Sequence, residues 1–165
     1  MKIRVRLLNE YCKIKPIKKG EWIDLKCSGT VRLSAPHNAY NTRVTKFNDV
    51  KIPLGVAMEL PKYFEANVLP RSGTFNNYGV IQTNSMGVID STYCGDSDQW
   101  HMQVVATRDT LITEGARIAQ FRIRPSQFAP WWVKLKWVFT SSVKFEFVES
   151  LDNEDRGGYG STGII

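Results

Sequence analysis

Apolar and charged residues alternate along this chain with a period of two, and that pattern restricts the possible folds more than any other feature. Ile3, Val5 and Leu7 interleave with Lys2, Arg4 and Arg6. Val133, Leu135, Trp137 and Phe139 interleave with Lys134 and Lys136, and Val143, Phe145 and Phe147 with Lys144 and Glu146. Successive side chains of a strand point to opposite faces, so each pattern reads as a half-buried strand. Thr140-Ser141-Ser142 lies between the last two and predicts the turn of a hairpin. Ile52 to Leu60 and Ile118 to Ile123 are further apolar runs bounded by turn residues. No long stretch has a convincing 3.6-residue period. Many short strands separated by turn signals predict an all-β sandwich or barrel.

Size and composition remove several other classes. At 165 residues the chain suits one domain. No apolar run approaches the roughly 20 residues that cross a bilayer, and MKIRVRLL has no secretory h-region. The expected setting is cytoplasmic, without a membrane partner. Cys12, Cys27 and Cys94 are odd in number, widely spaced and free of any CxxC, which suits reduced thiols. His37 and His101 stand apart from each other and from the cysteines, so no zinc site is expected. The net charge of +6 favours anionic partners, but the charges are scattered and form no nucleic-acid arm. Residues 1–150 therefore read as the β-domain. Residues 151–165, polar and glycine-rich, read as a flexible arm outside the core.

Five segments invite a chemical reading. Gly158 to Gly163 formally matches GxGxxG, but only Ile164 and Ile165 follow, so the helix that a dinucleotide site needs cannot form. What remains is a glycine-rich strip carrying Arg156, Ser161 and Thr162, suited to phosphate oxygens or else simply frayed. Leu69-Pro70-Arg71-Ser72-Gly73-Thr74 reads as an oxyanion-binding turn or an ordinary polar one. In Asn84 to Gly95, NSMGVIDSTYCG, Val88-Ile89 reads as a strand in a hairpin bracketed by Gly87 and Gly95. Its Asp90 is either a general base or a turn residue. Gly115-Ala116-Arg117-Ile118-Ala119-Gln120 reads as a turn and strand with Arg117 a solvated charge, and Asp24 in GEWIDL is one acid among apolar residues.

Taken together and in order, GEWIDL, PRSGT, GVIDSTYCG, GARIAQ and RGGYGSTG resemble the five motifs of the homotrimeric dUTPase family, in its bacterial and phage form. The resemblance implies a distorted jelly roll (β-clip) in a threefold trimer, with active sites assembled from more than one subunit. It implies Mg²⁺-dependent hydrolysis of dUTP to dUMP and pyrophosphate, which keeps uracil out of DNA and supplies dUMP. By this resemblance Asp90 activates the water that attacks the α-phosphorus. Asn84 and the backbone of Gly87, Val88 and Ile89 read the uracil edge, and Tyr93 packs under the deoxyribose. Arg71, Ser72, Gly73 and Gln120 hold the α- and β-phosphates. Arg156, Ser161 and Thr162 close over the γ-phosphate, Tyr159 stacks on uracil, and Asp24 reaches Mg²⁺ only through water.

The chain also departs from the family pattern. Asp96 to Gln99 look inserted, which leaves Met102 as the expected apolar contact to the nucleoside. Residues 34–48 and 126–142 look extra. The second of these, containing Trp131, Trp132 and Trp137, reads as an added hairpin that buries its aromatics, or as a face for a protein partner. Two other readings stay open: a dCTP deaminase-like enzyme of the same fold, which needs a glutamate where Asp90 stands, and a non-enzymatic binding module.

Overall fold

The computed structural model describes residues 1–15, 21–38, 45–140 and 142–157. Its strands are β1 (Lys2–Leu7), β2 (Ile23–Lys26), β3 (Val31–Leu33), β4 (His37–Asn38), β5 (Thr45–Lys46), β6 (Asp49–Pro53) and β7 (Val56–Glu59), followed by β8 (Phe64–Pro70), β9 (Val80–Gln82), β10 (Gly87–Asp90), β11 (His101–Ala106), β12 (Thr110–Ile112), β13 (Arg117–Pro125) and β14 (Lys144–Val148). The helices are α1 (Thr74–Tyr78) and α2 (Trp131–Thr140), with a 3-10 turn at Glu10–Cys12.

The strands form the short sheets of a jelly roll. One runs β14-β1-β7, a second β10-β8-β13-β2 and a third β6-β11-β9, with the small pairs β12-β3 and β4-β5. β1 runs parallel to β14, and the other pairs are antiparallel. The alternation in β1 works as the sequence predicts: Ile3 and Val5 are fully buried, while Arg4 and Arg6 lie on the outer face. The core is built on large side chains at such inward positions. Phe121 of β13 meets Trp100 edge to face at 5.2 Å and Phe145 of β14 at 6.3 Å.

The predicted run from Ile52 to Leu60 is broken into β6 and β7 by a turn at Leu54-Gly55. Gly55 has φ +68°, and a Cβ there would lie 2.6 Å from Cys12 Sγ. Only glycine satisfies both constraints.

Three expectations fail. Residues 133–139 are not a strand and so form no hairpin with the strand that follows: Trp131–Thr140 is a helix, and the middle of the predicted turn, Ser141, lies outside the described residues. Pro130 opens it, its carbonyl accepting from Val133 and Lys134 N–H, a place where proline suits a helix start. The aromatics of α2 are not buried either. Trp137 packs on Phe64 at 5.3 Å, while Trp131, Trp132, Leu135, Val138 and Phe139 stay exposed. Finally, the tail does contribute to the core, because Leu151 is fully buried.

Candidate active site

Two groups of polar side chains emerge from the sheet β10-β8-β13-β2. The first gathers at the C-terminal end of β8. Gln120 of β13 stands between Leu69 of β8 and Asp24 of β2 in the register. The chain then leaves β8 through a pinned turn. Thr74 N–H donates to the Arg71 carbonyl at 2.9 Å, and the buried Thr74 hydroxyl donates to the Ile118 carbonyl at 2.7 Å. Arg71 is thereby set beside β2, where its Nε lies 2.7 Å from Asp24 Oδ1. Arg117 reaches Asp24 Oδ2 from the other side, Nη1 to oxygen 3.1 Å. Gln120 Nε2 donates to the Pro70 carbonyl at 3.2 Å. Ser72 and Gly73 follow directly, leading into α1. One carboxylate thus aligns two guanidiniums beside an amide, a surface suited to a polyanion.

The second group surrounds Asp90 at the end of β10. Asp90 Oδ1 accepts the Thr92 N–H at 2.8 Å and the Thr92 hydroxyl at 2.5 Å. Oδ2 accepts Arg156 Nη1 at 2.9 Å. Partial burial works against the ionised form. The two Thr92 bonds and the Arg156 charge outweigh it, so the carboxyl is held below the usual carboxylate range. Tyr93 N–H donates back to the Asp90 carbonyl at 3.2 Å, and its hydroxyl donates to the Gln99 carbonyl at 3.0 Å. Asp90 is therefore both a turn residue and a half-buried acid held in its ionised form.

The segment before Asp90 joins two sheets and is not a ladder of its own. β9 pairs with β11, whereas β10 pairs with β8. Gln82 bridges the gap, its Nε2 donating to the Val68 carbonyl at 3.2 Å and to Asn84 Oδ1 at 2.8 Å. Gly87 sits over that amide: a Cβ there would lie 3.3 Å from Val68 Cβ and 3.7 Å from Gln82 Nε2. Val88 is exposed beside it. Ile89 stands opposite Ala66 and packs partly against the core.

The two groups do not meet within one chain. Asp90 is opposite Glu65 at the start of β8, and Gln120 is opposite Leu69 near its end. From Glu65 to Arg71 the chain advances by roughly 20 Å at ~3.3 Å per residue. A groove of about 1020 Å³ between β13 and β14, lined by Ile14, Arg122, Trp137 and Phe145, holds none of these residues.

Met102, expected as a contact to the nucleoside, is fully buried in β11 among core side chains and offers no surface to a ligand. Alternation along β11 sends it inward with Val104. Tyr159, Ser161 and Thr162 lie outside the described residues. Arg117 is more than a solvated charge, because it completes the grip on Asp24. Thr92, Gln82 and Asp98 escape sequence reasoning. Thr92 serves the Asp90 carboxylate two residues before it, while Gln82 and Asp98 bond mainly to backbone groups of other segments, and these leave no pattern in the residue order.

Among the described residues no cluster of three or more His, Cys, Asp or Glu forms a metal centre. Both Asp24 oxygens already hold guanidiniums, and this fits a carboxylate that meets a metal through water.

The dUTPase family model matches residues 34–127. The chain is 44% identical over 165 residues to the SPbeta prophage-derived deoxyuridine 5'-triphosphate nucleotidohydrolase of Bacillus subtilis (strain 168), covering 99% of each. It is 35% identical over 113 residues to the deoxyuridine 5'-triphosphate nucleotidohydrolase of Rickettsia prowazekii (strain Madrid E), covering 68% of each. In fold it is similar to the dUTPase of Streptococcus mutans, with TM-score 0.63 and 20% identity, covering 76% of this chain and 98% of that one. A mutant of the Staphylococcus bacteriophage 80alpha dUTPase, with dUpNHpp, gives TM-score 0.57 and 17% identity over 98% of both chains. The chain belongs to the dUTPase family.

Proposed function

We propose that this protein hydrolyses dUTP to dUMP and pyrophosphate, with Asp90 as the general base. The observation that carries the reading is the Asp90 carboxylate itself: ionised, half exposed and fixed through one oxygen by Thr92. A base with one anchored oxygen and one exchangeable partner can orient a water and take its proton. Asn84, held by Gln82, and the backbone beside Gly87 and Val88 line the edge that reads uracil. Tyr93, fixed through its hydroxyl, supplies the flat wall under the sugar. A site that hydrogen-bonds one base edge rejects the wrong base strongly. Arg71, Ser72, Gly73 and Gln120 receive the α- and β-phosphates. Arg156, with Tyr159, Ser161 and Thr162, covers the γ-phosphate and the base.

Mg²⁺ held by the substrate phosphates, with Asp24 reaching it through water, supplies charge neutralisation for the leaving pyrophosphate. Asp24 also keeps Arg71 and Arg117 side by side, so the phosphate chain meets a preset pair of donors.

The site works in a homotrimer. The separation of Asp90 from Arg71 within the chain supports this, because one α-phosphate cannot touch both unless a second copy supplies one of them. Exposed Phe75 of α1, Ile81 of β9 and Leu111 of β12 are apolar surface for such a neighbour to cover. The free cysteines suit a cytoplasmic enzyme. No helix among the described residues is long and apolar enough to cross a membrane.

The exposed face of α2 favours an additional role, docking of a protein partner. Trp131, Leu135, Val138 and Phe139 form one apolar stripe at helical spacing, flanked by Lys134 and Lys136.

The test of the main reading is pyrophosphate release, with Mg²⁺, from dUTP, dTTP, dCTP and UTP side by side. Release from dUTP alone is expected. Equal release from UTP would remove the Tyr93 assignment, ammonia from dCTP would indicate deamination, and no release from any of the four would overturn the enzymatic reading.

A further inference from the structure

Gln82 is an amide at an inward position of β9, where alternation would place an apolar side chain. Val80, two residues back on the same face, is buried in the core, and Gln82 itself is only 7% exposed. Both hydrogens of its amide nitrogen are engaged. One goes to the Val68 carbonyl of β8 at 3.2 Å and the other to Asn84 Oδ1 at 2.8 Å. Its own oxygen, Oε1, is buried without a hydrogen-bond partner among the described residues. A carbonyl oxygen buried in this way loses its hydration and gains no donor in exchange. An apolar side chain of the same length would avoid that loss, so stability alone does not account for an amide here. The demand lies with its two donors.

Those donors impose a direction. A backbone carbonyl only accepts, so Val68 decides that the nitrogen end of the Gln82 amide faces it. The second hydrogen on that nitrogen then requires an acceptor on Asn84, and Oδ1 supplies it. Turning the Asn84 amide over would set two N–H groups against each other and leave a Gln82 donor unpaired. Asn84 is exposed, and among the described residues no other group takes its Nδ2. The backbone beneath it is fixed as well. Thr83 N–H donates to the Gln103 carbonyl at 3.0 Å, Met86 N–H donates to the Asn84 carbonyl at 2.5 Å, and Ser85 turns the chain with φ +57°.

We propose that Gln82 is a positioning residue that fixes the polarity of Asn84, so that the site offers a hydrogen-bond donor at the place where 4-oxo and 4-amino pyrimidines differ. The proposal rests on the reading of Asn84 as a contact to the uracil edge, and it adds what makes that contact selective. An amide free to turn would accept from the 4-amino group of cytosine as readily as it donates to the 4-oxygen of uracil. An amide held by Val68 through Gln82 can only donate. Gln82 touches no substrate. Rejection of cytosine is then a property of the junction between β8 and β9 as much as of the exposed residue.

The test is the ratio of kcat/KM for dUTP to that for dCTP, read as pyrophosphate release. Gln82→Met keeps the length of the side chain and removes both donors. Its ratio is expected to fall by about tenfold or more, with the loss for dUTP in KM rather than in kcat. A merely structural role would weaken both substrates together, so an unchanged ratio in folded Gln82→Met would overturn the proposal. Asn84→Asp still accepts from Gln82 but turns a second acceptor outward, and the same fall is expected of it. Should Gln82→Met not fold, side-chain amide hydrogen exchange in the wild type reads the contact directly. The Gln82 amide protons should exchange at least about tenfold more slowly than those of Asn84, and equal rates would overturn the proposal. The underlying reading fails differently. If Asn84→Ala leaves the ratio unchanged while the wild type still prefers dUTP, Asn84 does not meet the differing atom, and the proposal falls with it. If Asn84→Ala lowers the ratio and Gln82→Met does not, the contact stands and only the role of Gln82 is overturned.

Discussion

Replacing Asp90 with asparagine separates catalysis from structure, because the two effects differ in size. The amide oxygen can still accept the two Thr92 bonds that fix Asp90 Oδ1. The nitrogen that replaces Oδ2 cannot accept from Arg156, so that ion pair is lost. Its side chains are 41% and 49% exposed, and pairs as exposed as this contribute at most about 1 kcal/mol. The melting temperature should therefore fall by no more than about 4 °C. Loss of a general base costs about 10²–10⁴ in kcat, or roughly 3–5.5 kcal/mol of barrier. The assay is single-turnover pyrophosphate release at pH 7.5, paired with calorimetric binding of an imido-linked dUTP analogue. Binding should survive while turnover collapses. A kcat within about fivefold of wild type in a folded Asp90→Asn protein would refute the assignment, since no general-base role is that small. The pH dependence carries a second check. Thr92 and Arg156 hold the carboxyl below its ordinary range despite the opposing effect of burial. A lowered folded-state value means that the stability from these contacts is fully present above the unfolded value of ~3.9 and is lost as pH falls through the folded one. Between pH 5 and neutrality, Asp90 should change neither stability nor rate. If substrate phosphates draw Arg156 away, the acid limb of kcat should lie at higher pH than that of kcat/KM.

Other perturbations have equally definite outcomes. A chain ending at Gly157, which keeps the Arg156 and Gly157 donors to the buried Asp98, should keep its thermal melt and its assembly by sedimentation but lose at least about a hundredfold in kcat/KM, as expected when a closing segment that completes the site is removed. Phe121→Ala removes a fully buried ring that meets Trp100 and Phe145 edge to face, and should cost about 3–5 kcal/mol by urea titration, with m unchanged. Burial pushes the Cys27 thiol up to about 11, so iodoacetamide at pH 7.5 should leave it unmodified in the native protein, and rapid labelling would show that the region opens.

How far the sequence could be read depends on whether one face of an element is buried. In β1 the rule works, because Ile3 and Val5 enter the core and the intervening arginines reach outward to Glu59, Asp152 and the Glu149 carbonyl. Residues 131–140 satisfy the same rule and yet form a helix. WWVKLKWVFT alternates in charge, but only Val133 and Trp137, four residues apart, are drawn toward the body, and that spacing belongs to a helix turn. Period analysis assumes that apolar residues mark the buried side. In α2 most of them mark the exposed side, so the assumption inverts. Pro130 was the legible sign, standing where a helix begins and a central strand would not tolerate it.

The motif residues show the complementary limit. Arg71, Asp90 and Gln120 announce themselves because each stands in a short motif whose order along the chain is recognisable. What positions them is quieter. Asp98 acts on three backbone N–H groups, two of them in residues 58 and 59 positions further along the chain. Any residue except proline offers that donor, so the partner leaves no trace in its identity. An Asp-Ser-Asp run directly after Gly95 then looks like a solvated turn. The separation of Asp90 from Arg71 is hidden for the same reason: it follows from the β8 register, set by backbone pairing and turn lengths rather than by the motifs. The five motifs point to the groups proposed to meet the nucleotide. The β8 register sets how far apart those groups stand in one chain, and nothing in the motif residues encodes that distance.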